Sequence, residues 1–258
     1  MKKLSVALAT FNEEKNIDAC LKAVKDWVEE IVVVDGSSTD KTREIAQKHG
    51  AKVIKTANPP IIHLNKQKAI DECQGEWILQ LDADEIVTPV LREEIKKIIK
   101  QKNSFVAYYL PRKTTLLGRE IRKGGLYPDA VIRFFQRGKA RLPCKSVHEQ
   151  MEVEGEVGYL KNELIHNPFS DFTEYLIKAN RYSSLLAEEY RQQAVGRGPI
   201  AIFKYVFLIP KWTFLNLYGR HLGFLDGFPV FVFAFFSAIQ KIAGYAKYWE
   251  KRHEKKLD

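Results

Sequence analysis

Four short apolar runs, LSVALAT, EIVVVDG, AKVIKT and WILQL, recur along the first third of the chain, and helical sequence separates each from the next. Near-continuous apolar runs of this length read as strands buried on both faces. After the first, Ile17, Cys20, Leu21, Val24 and Val28 return at helical spacing. After the second, SSTDKTREIAQKHG supplies cap-type residues and a closing Gly50, and LNKQKAIDECQG, stopped by Gly75, separates the third from the fourth. Strands joined by helices pair in parallel, because a parallel neighbour needs a crossover connection. The expected fold is α/β, a mainly parallel Rossmann-like sheet flanked by helices, with ligands gathering at the carboxyl ends of the strands.

The fourth run ends in three carboxylates within four positions, Asp82, Asp84 and Glu85. Asp82 and Asp84, two apart in extended chain, project in one direction. Such a pair suits a hard divalent ion, Mg²⁺ or Mn²⁺, that leaves positions open for phosphate oxygens and neutralises a departing diphosphate. The competing reading is a solvated turn capping the strand. The three preceding βα units, and Asp35 ending the second run, favour a site. The first βα turn, ATFNEEKN, has none of the glycines of a dinucleotide fingerprint, and no G-x-x-x-x-G-K-[ST] occurs. A site without a glycine cradle must hold diphosphate through metal and basic side chains such as Lys68.

The basic excess favours an anionic partner, which nucleic acid, a phosphorylated substrate or a membrane surface would each satisfy, and the cysteine usage fits a reducing compartment. Lys and Arg outnumber Asp and Glu by 41 to 32, and the 258 residues, 45% hydrophobic, allow one large domain or a domain with an appendage. Cys20, Cys73 and Cys144 form no C-x-x-C pair, so neither a disulfide framework nor a zinc knuckle is expected. The opening MKKLSVALATFNEEK has a basic start but too short an apolar stretch for a signal peptide, and reads as the first strand.

The second half changes character. FVAYYLPRK and AVIRFFQRGKARL read as strands, the latter with a Gly138 turn, and LLGREIRKGGLYPD lies between them. Arg119, Arg122, Lys123 and Arg133 around that loop suggest a wall against donor phosphate or an anionic acceptor. From about residue 170 the pattern is helical, giving expected domains at 1–170 and 171–258. Residues 227–240 carry no charge, too short a run to span a bilayer. Phe224, Phe228, Phe231, Phe233, Phe235 and Phe236, followed by Lys241, Lys247, Lys251, Arg252, Lys255 and Lys256, suit a helix lying in the interface of an anionic membrane. A helical subdomain packed on the core, or a dimer contact, is the plainer alternative.

ALATFNEEKNI, EIVVVDGSSTDKT and GEWILQLDADE resemble the successive motifs of family-two inverting glycosyltransferases with the GT-A fold. GGLYPDAVIRFF, SVHEQM and LIHNPFSDFTEYLIKANRYS resemble the subgroup that includes lipopolysaccharide core glucosyltransferases, which extends the likeness to about residue 190. The resemblance implies that Thr10, Glu13 and Asp35 surround base and ribose, that Asp82 faces ribose and metal, and that Asp84 ligates the metal. Gln67 and Lys68, in NKQKA, fall where relatives often carry E-Q-R-N, and lysine for arginine removes a bidentate contact. Glu149 matches the base that deprotonates the acceptor. His148 orients the site or is an ordinary half-buried imidazole, and His166 in LIHNP adds a metal ligand or is a core histidine. The implied activity moves a sugar from a nucleotide diphosphate donor, a UDP-sugar, to a hydroxyl of a cell-envelope glycan or glycolipid such as lipopolysaccharide core. The expected enzyme is cytoplasmic, peripheral on the inner face of the membrane, with no nucleic acid partner. Two other readings stand beside it. A sugar-1-phosphate nucleotidyltransferase would carry a glycine-rich, arginine-containing loop that ATFNEE lacks. A non-catalytic basic RNA- or membrane-binding protein would not need acids at 35, 82, 84 and 149.

Overall fold

The computed structural model describes residues 3–101, 104–144 and 150–251. The chain forms two compact units, Met1–Lys113 with Pro128–Asn167, and Thr114–Tyr127 with Pro168–Asp258.

In the first unit the alternation expected from the sequence builds β1 (Leu4–Thr10), α1 (Ile17–Lys22), β2 (Glu30–Asp35), α2 (Thr42–Lys48), β3 (Lys52–Lys55), α3 (His63–Asp71) and β4 (Trp77–Leu81). There follow β5 (Glu85–Val87), α4 (Pro89–Lys100), β6 (Ala107–Leu110), β7 (Arg112–Leu116), β8 (Arg119–Glu120), β9 (Val131–Gln136), β10 (Ala140–Arg141), β11 (Glu152–Val153), β12 (Val157–Tyr159) and β13 (Leu164–His166), with β8 and most of β7 in the second unit. The seven-stranded sheet runs β12-β6-β9-β4-β1-β2-β3. β1 pairs in parallel with β2 and β4, and β2 with β3, so their carboxyl ends share one edge. β9 enters antiparallel between β4 and β6.

Period-2 alternation supplies both faces of that sheet. Leu4, Val6 and Leu8 join Trp77, Leu79 and Leu81 in one core cluster, while Ala7 joins Ile78 and Phe135 in the other. Trp77 stacks on Phe134 of β9 with centroids 4.5 Å apart, and both are fully buried. Each such aromatic contributes about 1.5–3 kcal/mol by burial alone. Two helices are shorter than their periodicity suggests. α1 ends at Lys22, although Val24 stays buried in the turn beyond it, and α3 ends at Asp71, before Gly75. Gly75 serves another purpose: its N–H donates to Ser5 Oγ at 2.8 Å, and a Cβ there would sit 2.6–2.9 Å from Ser5 Oγ, Ser5 N and Lys3 O.

The second unit is mostly helical. α5 (Phe172–Gln192) starts at a reciprocal cap, with Glu174 N–H donating to Asp171 Oδ1 at 2.9 Å and Ser170 N–H to Glu174 Oε2 at 2.8 Å. The Phe228–Glu250 helix packs along α5, with Phe172 and Tyr175 against Phe236. The uncharged run 227–240 is thus only the first part of a 23-residue helix. A 22-residue helical stretch, Pro199–Arg220, precedes it, and both are long and apolar enough, by length and composition, to cross a membrane. Segment 114–127, grouped with residues 1–170 on sequence, packs with this unit: Ile121 and Leu126 join Tyr175 and Val230, and Asp226 accepts from Arg122 N–H and Lys123 N–H at 2.7 and 2.6 Å.

Candidate active site

The carboxyl edges of β1, β2 and β4 in the first unit carry two clusters of polar side chains. At the first, Asp35 is fully buried at the end of β2. Its Oδ2 accepts from Thr10 Oγ1 at 3.1 Å and Ser38 Oγ at 2.5 Å, and its Oδ1 from Ser38 N–H at 2.9 Å. Arg43 Nε stands 3.5 Å from Oδ1. These bonds knit the β1 and β2 turns together. Asn12 N–H donates to Ser38 Oγ, Glu13 N–H to Thr42 Oγ1, and Thr39 N–H to Asn12 Oδ1. Asn12 and Ser37 hold positive φ, 57° and 66°, in the two turns. Left-handed non-glycine residues are strained and concentrate where a structure serves a ligand. Thr10 and Asp35 therefore meet directly, and Glu13 is held in the adjoining turn by its N–H bond to Thr42, although Asp35 faces its own chain's donors with both oxygens.

The second cluster follows β4. Asp82 Oδ1 lies 2.5 Å from Lys66 Nζ, and Oδ2 lies 2.5 Å from an Arg133 guanidinium nitrogen. The same nitrogen is 2.9 Å from Oε1 of Glu85, which is fully buried, and Arg133 also donates to Gln80 Oε1. Arg112 bridges Glu85, at 3.3 Å, and Asp129. Three cations, Lys66, Arg112 and Arg133, thus face three carboxylates, Asp82, Glu85 and Asp129. Burial by itself would raise the Asp82 pKa, but Arg133, then Lys66 and Arg112, more than reverse it, holding the carboxyl well below the usual range. Burial opposes charge on Arg133 as well, and Asp82 and Glu85 overcome it, so the guanidinium stays firmly protonated.

Beside this network, His166 at the end of β13 brings Nε2 to 3.8 Å from Asp84 Oδ2. β13 reaches that position by antiparallel pairing with β5, which places His166 opposite Glu85. Burial, then the nearby Arg112, pushes the imidazole down to about 4, so it is neutral at pH 7. Neutral imidazole facing a carboxylate is a donor set suited to a divalent cation. Among the described residues no group of three or more His, Cys, Asp or Glu side chains is arranged as a ready cation site. Asp84 and His166 fit an ion whose other ligands come from phosphate or water, whereas Asp82, as it stands, spends both oxygens on Lys66 and Arg133.

Lys68 is exposed, while Lys66 makes the contact with Asp82. Two residues apart on a helix point to different faces. Lys66 shares the inward face of α3 with buried Ala69 and Ile70, a signal already present in the sequence. Gln67 bonds Asp71 and accepts from Leu142 N–H, lining a cavity of about 590 Å³ against the β10–β11 hairpin. Arg133, grouped on sequence with a polar loop, is instead a buried strand residue of β9. Its charge amid the apolar VIRFFQ was the clue. Arg119, Arg122 and Lys123 belong to the second unit, where the Arg122 guanidinium lies 4.5 Å from the Tyr127 ring centroid. Glu149 and His148, in the connection from β10 to β11, lie outside the described residues.

Known proteins share both sequence and fold with this chain. The lipopolysaccharide core biosynthesis glycosyltransferase LpsC of Rhizobium meliloti is 29% identical, covering 91% of this chain and 90% of its own length. An uncharacterized glycosyltransferase of Rickettsia typhi, RT0209, is 29% identical over 96% of this chain and 87% of its own. The crystal structure of S. aureus TarS 1-349 in complex with UDP-GlcNAc superposes with a TM-score of 0.52 at 16% identity, covering 96% of this chain and 88% of that one, a likeness of fold. Residues 5–150, which hold both polar clusters except His166, match glycosyl transferase family 2. With the motifs in register, the parallel edge in place and more than half its length matched, the chain belongs to glycosyl transferase family 2.

Proposed function

We propose that this member of the family is an inverting, metal-dependent transferase that moves a sugar from a UDP-sugar to a hydroxyl of lipopolysaccharide core or a related cell-envelope glycolipid, at the inner face of the membrane. The observation that carries the reading is the pairing of Asp84 with a neutral His166 beside a cation-held Asp82, at the strand edge where this fold takes ligands. The role of LpsC in lipopolysaccharide core biosynthesis supports the choice of acceptor class. TarS, of the same fold, was crystallised with UDP-GlcNAc, which supports a UDP-sugar as donor.

Asp84 and His166 would hold Mg²⁺ or Mn²⁺, which when bound supplies positive charge to the leaving diphosphate. Thr10, Glu13 and Asp35 line the turns that would receive base and ribose. Lys66, on the face of α3 turned toward Asp82, is the chain's own cation for the diphosphate, in place of the exposed Lys68. Glu149 takes the proton of the acceptor hydroxyl as its oxygen attacks the anomeric carbon. The new glycosidic bond forms as the bond from that carbon to the diphosphate oxygen breaks, from opposite faces, which inverts the configuration. One carboxylate suffices because no covalent sugar–enzyme intermediate is needed.

Calorimetric titration with UDP, GDP and their sugars, with and without Mn²⁺, tests the site. Metal-dependent UDP binding that disappears in Asp84→Asn is expected; folded protein that binds no nucleotide would overturn the reading. Glu149→Gln should leave UDP binding intact and reduce turnover by at least about 100-fold. Product whose anomeric configuration matches the donor's would exclude inversion.

A further inference from the structure

The second unit carries an apolar surface that its own packing does not cover. The Pro199–Arg220 helix is almost wholly unburied, with Ile200 86%, Trp212 62% and Phe207 59% exposed. The neighbouring Phe228–Glu250 helix adds a stripe, Phe228, Phe231, Phe235 and Ile239, spaced by three and four residues so that all four share one face. Phe231 touches Phe214 and Tyr218, which joins the stripe to the first helix. Two of the phenylalanines grouped with them on sequence, Phe233 and Phe236, turn inward instead. An exposed apolar area of this extent marks an interaction surface.

Its charge selects the partner. From residue 191 to 225 the chain contains Arg191, Arg197, Lys204, Lys211 and Arg220 and not one Asp or Glu. The next acid, Asp226, is buried and accepts from Arg122 and Lys123. Aromatics interleaved with cations, free of acids, complement an anionic lipid headgroup layer. The placement of the lysines selects the orientation. Lys211 lies near the middle of the Pro199–Arg220 helix and Lys204 within its second turn, and both are exposed. A spanning helix would carry Lys211 to the bilayer centre, where a charged side chain is rare and costly. A helix lying in the interface lets both lysines reach the headgroups while Phe207 and Trp212 enter the acyl boundary.

We infer that the Pro199–Arg220 helix, with the Phe228–Ile239 stripe beside it, docks this protein in the plane of an anionic membrane surface. This deepens the membrane placement proposed above and rests on it. Of the basic run expected on sequence, Arg252, Lys255 and Lys256 lie outside the described residues. Lys247 is spent inside the unit on Asn180, Ser183 and Ser184, and Arg197 lies against the ring and carbonyl of Tyr248, so the exposed cations of the Pro199–Arg220 helix, Lys204, Lys211 and Arg220, carry the attraction.

The test uses the full chain and vesicles of phosphatidylcholine with or without phosphatidylglycerol. Binding to the anionic vesicles is expected, weakening severalfold from 0.1 to 0.5 M salt and at least about tenfold in Phe207→Glu/Trp212→Glu. Trp212 reports depth without any loss of apolar surface. Its emission should shift to the blue on binding and be quenched more by lipids labelled near the headgroup than near the chain end, and Trp212→Phe should remove that signal. Stronger quenching from the deep label would mean a spanning helix and overturn the in-plane arrangement. Absence of vesicle binding, or binding indifferent to the double variant, would overturn the proposal, as would a dimer that the double variant dissolves in a protein that ignores vesicles. UDP titration of the same preparations separates the two readings: the double variant should retain nucleotide binding, and a wild type that binds vesicles but no nucleotide would sink the transferase assignment alone.

Discussion

Replacing Arg133 with methionine tests whether the ion network after β4 sustains the first unit. The guanidinium serves Gln80, Asp82 and the fully buried Glu85. Removing one partner of a buried pair costs about 3–5 kcal/mol, because the surviving charge stays desolvated. Here each carboxylate keeps a second cation, Lys66 for Asp82 and Arg112 for Glu85, which points to the lower end of that range. A loss of about 3 kcal/mol lowers the melting temperature by roughly 6–12 °C in a unit of this size. Urea unfolding of wild type, Arg133→Met, Asp82→Asn and the double variant gives the coupling directly. About 2 kcal/mol between Arg133 and Asp82 is expected, the size found for residues sharing one ion network. Arg133→Met unfolding within about 0.5 kcal/mol of wild type, inside the scatter of ordinary surface changes, would refute the reasoning. Arg133→Lys should recover only part of the loss, since an ammonium cannot reproduce the guanidinium fork between Gln80, Asp82 and Glu85.

Four further outcomes follow from the same structure. Gly75→Ala should destabilise by about 2 kcal/mol through collision with the backbone and Oγ of Ser5, measurable by thermal unfolding. Gly50→Ala meets open space, so only its positive φ of 77° should count, about 1 kcal/mol in the same assay. Phe134→Ala, which opens the stack on Trp77, should cost about 3–5 kcal/mol in urea unfolding. In thiol titration at pH 8, Cys20 and Cys73 should stay silent until the protein unfolds. Only the thiolate reacts; burial pushes Cys73 up to about 12, and burial with nearby Glu85 and Asp84 raises Cys20 well above its ordinary value.

What could be read from the sequence was whatever depends on local pattern. Apolar runs of strand length, separated by helical periods, name a parallel sheet because no other arrangement buries both faces of such strands, and the acids at 35, 82 and 84 then fall at its carboxyl edge without further assumption. Partner choice was a different matter. Lys66 and Lys68 are equivalent in composition and differ only in the face of α3 they occupy, and that face matters once Ala69 and Ile70 dock on the sheet. Arg133 looked like one more cation of a polar loop until β9 inserted antiparallel beside β4 and carried it between Asp82 and Glu85. In the tail, composition announced an apolar, basic surface, but Phe233 and Phe236 turned inward and Lys247 was consumed by α5, while Phe207, Trp212 and the Phe228–Ile239 stripe stayed exposed. Sequence determined which elements form and where charge sits along them, since both follow from neighbours in the chain. Tertiary structure decided which charges meet and which aromatics stay exposed, because those depend on residues tens of positions apart brought to one side of a sheet or helix.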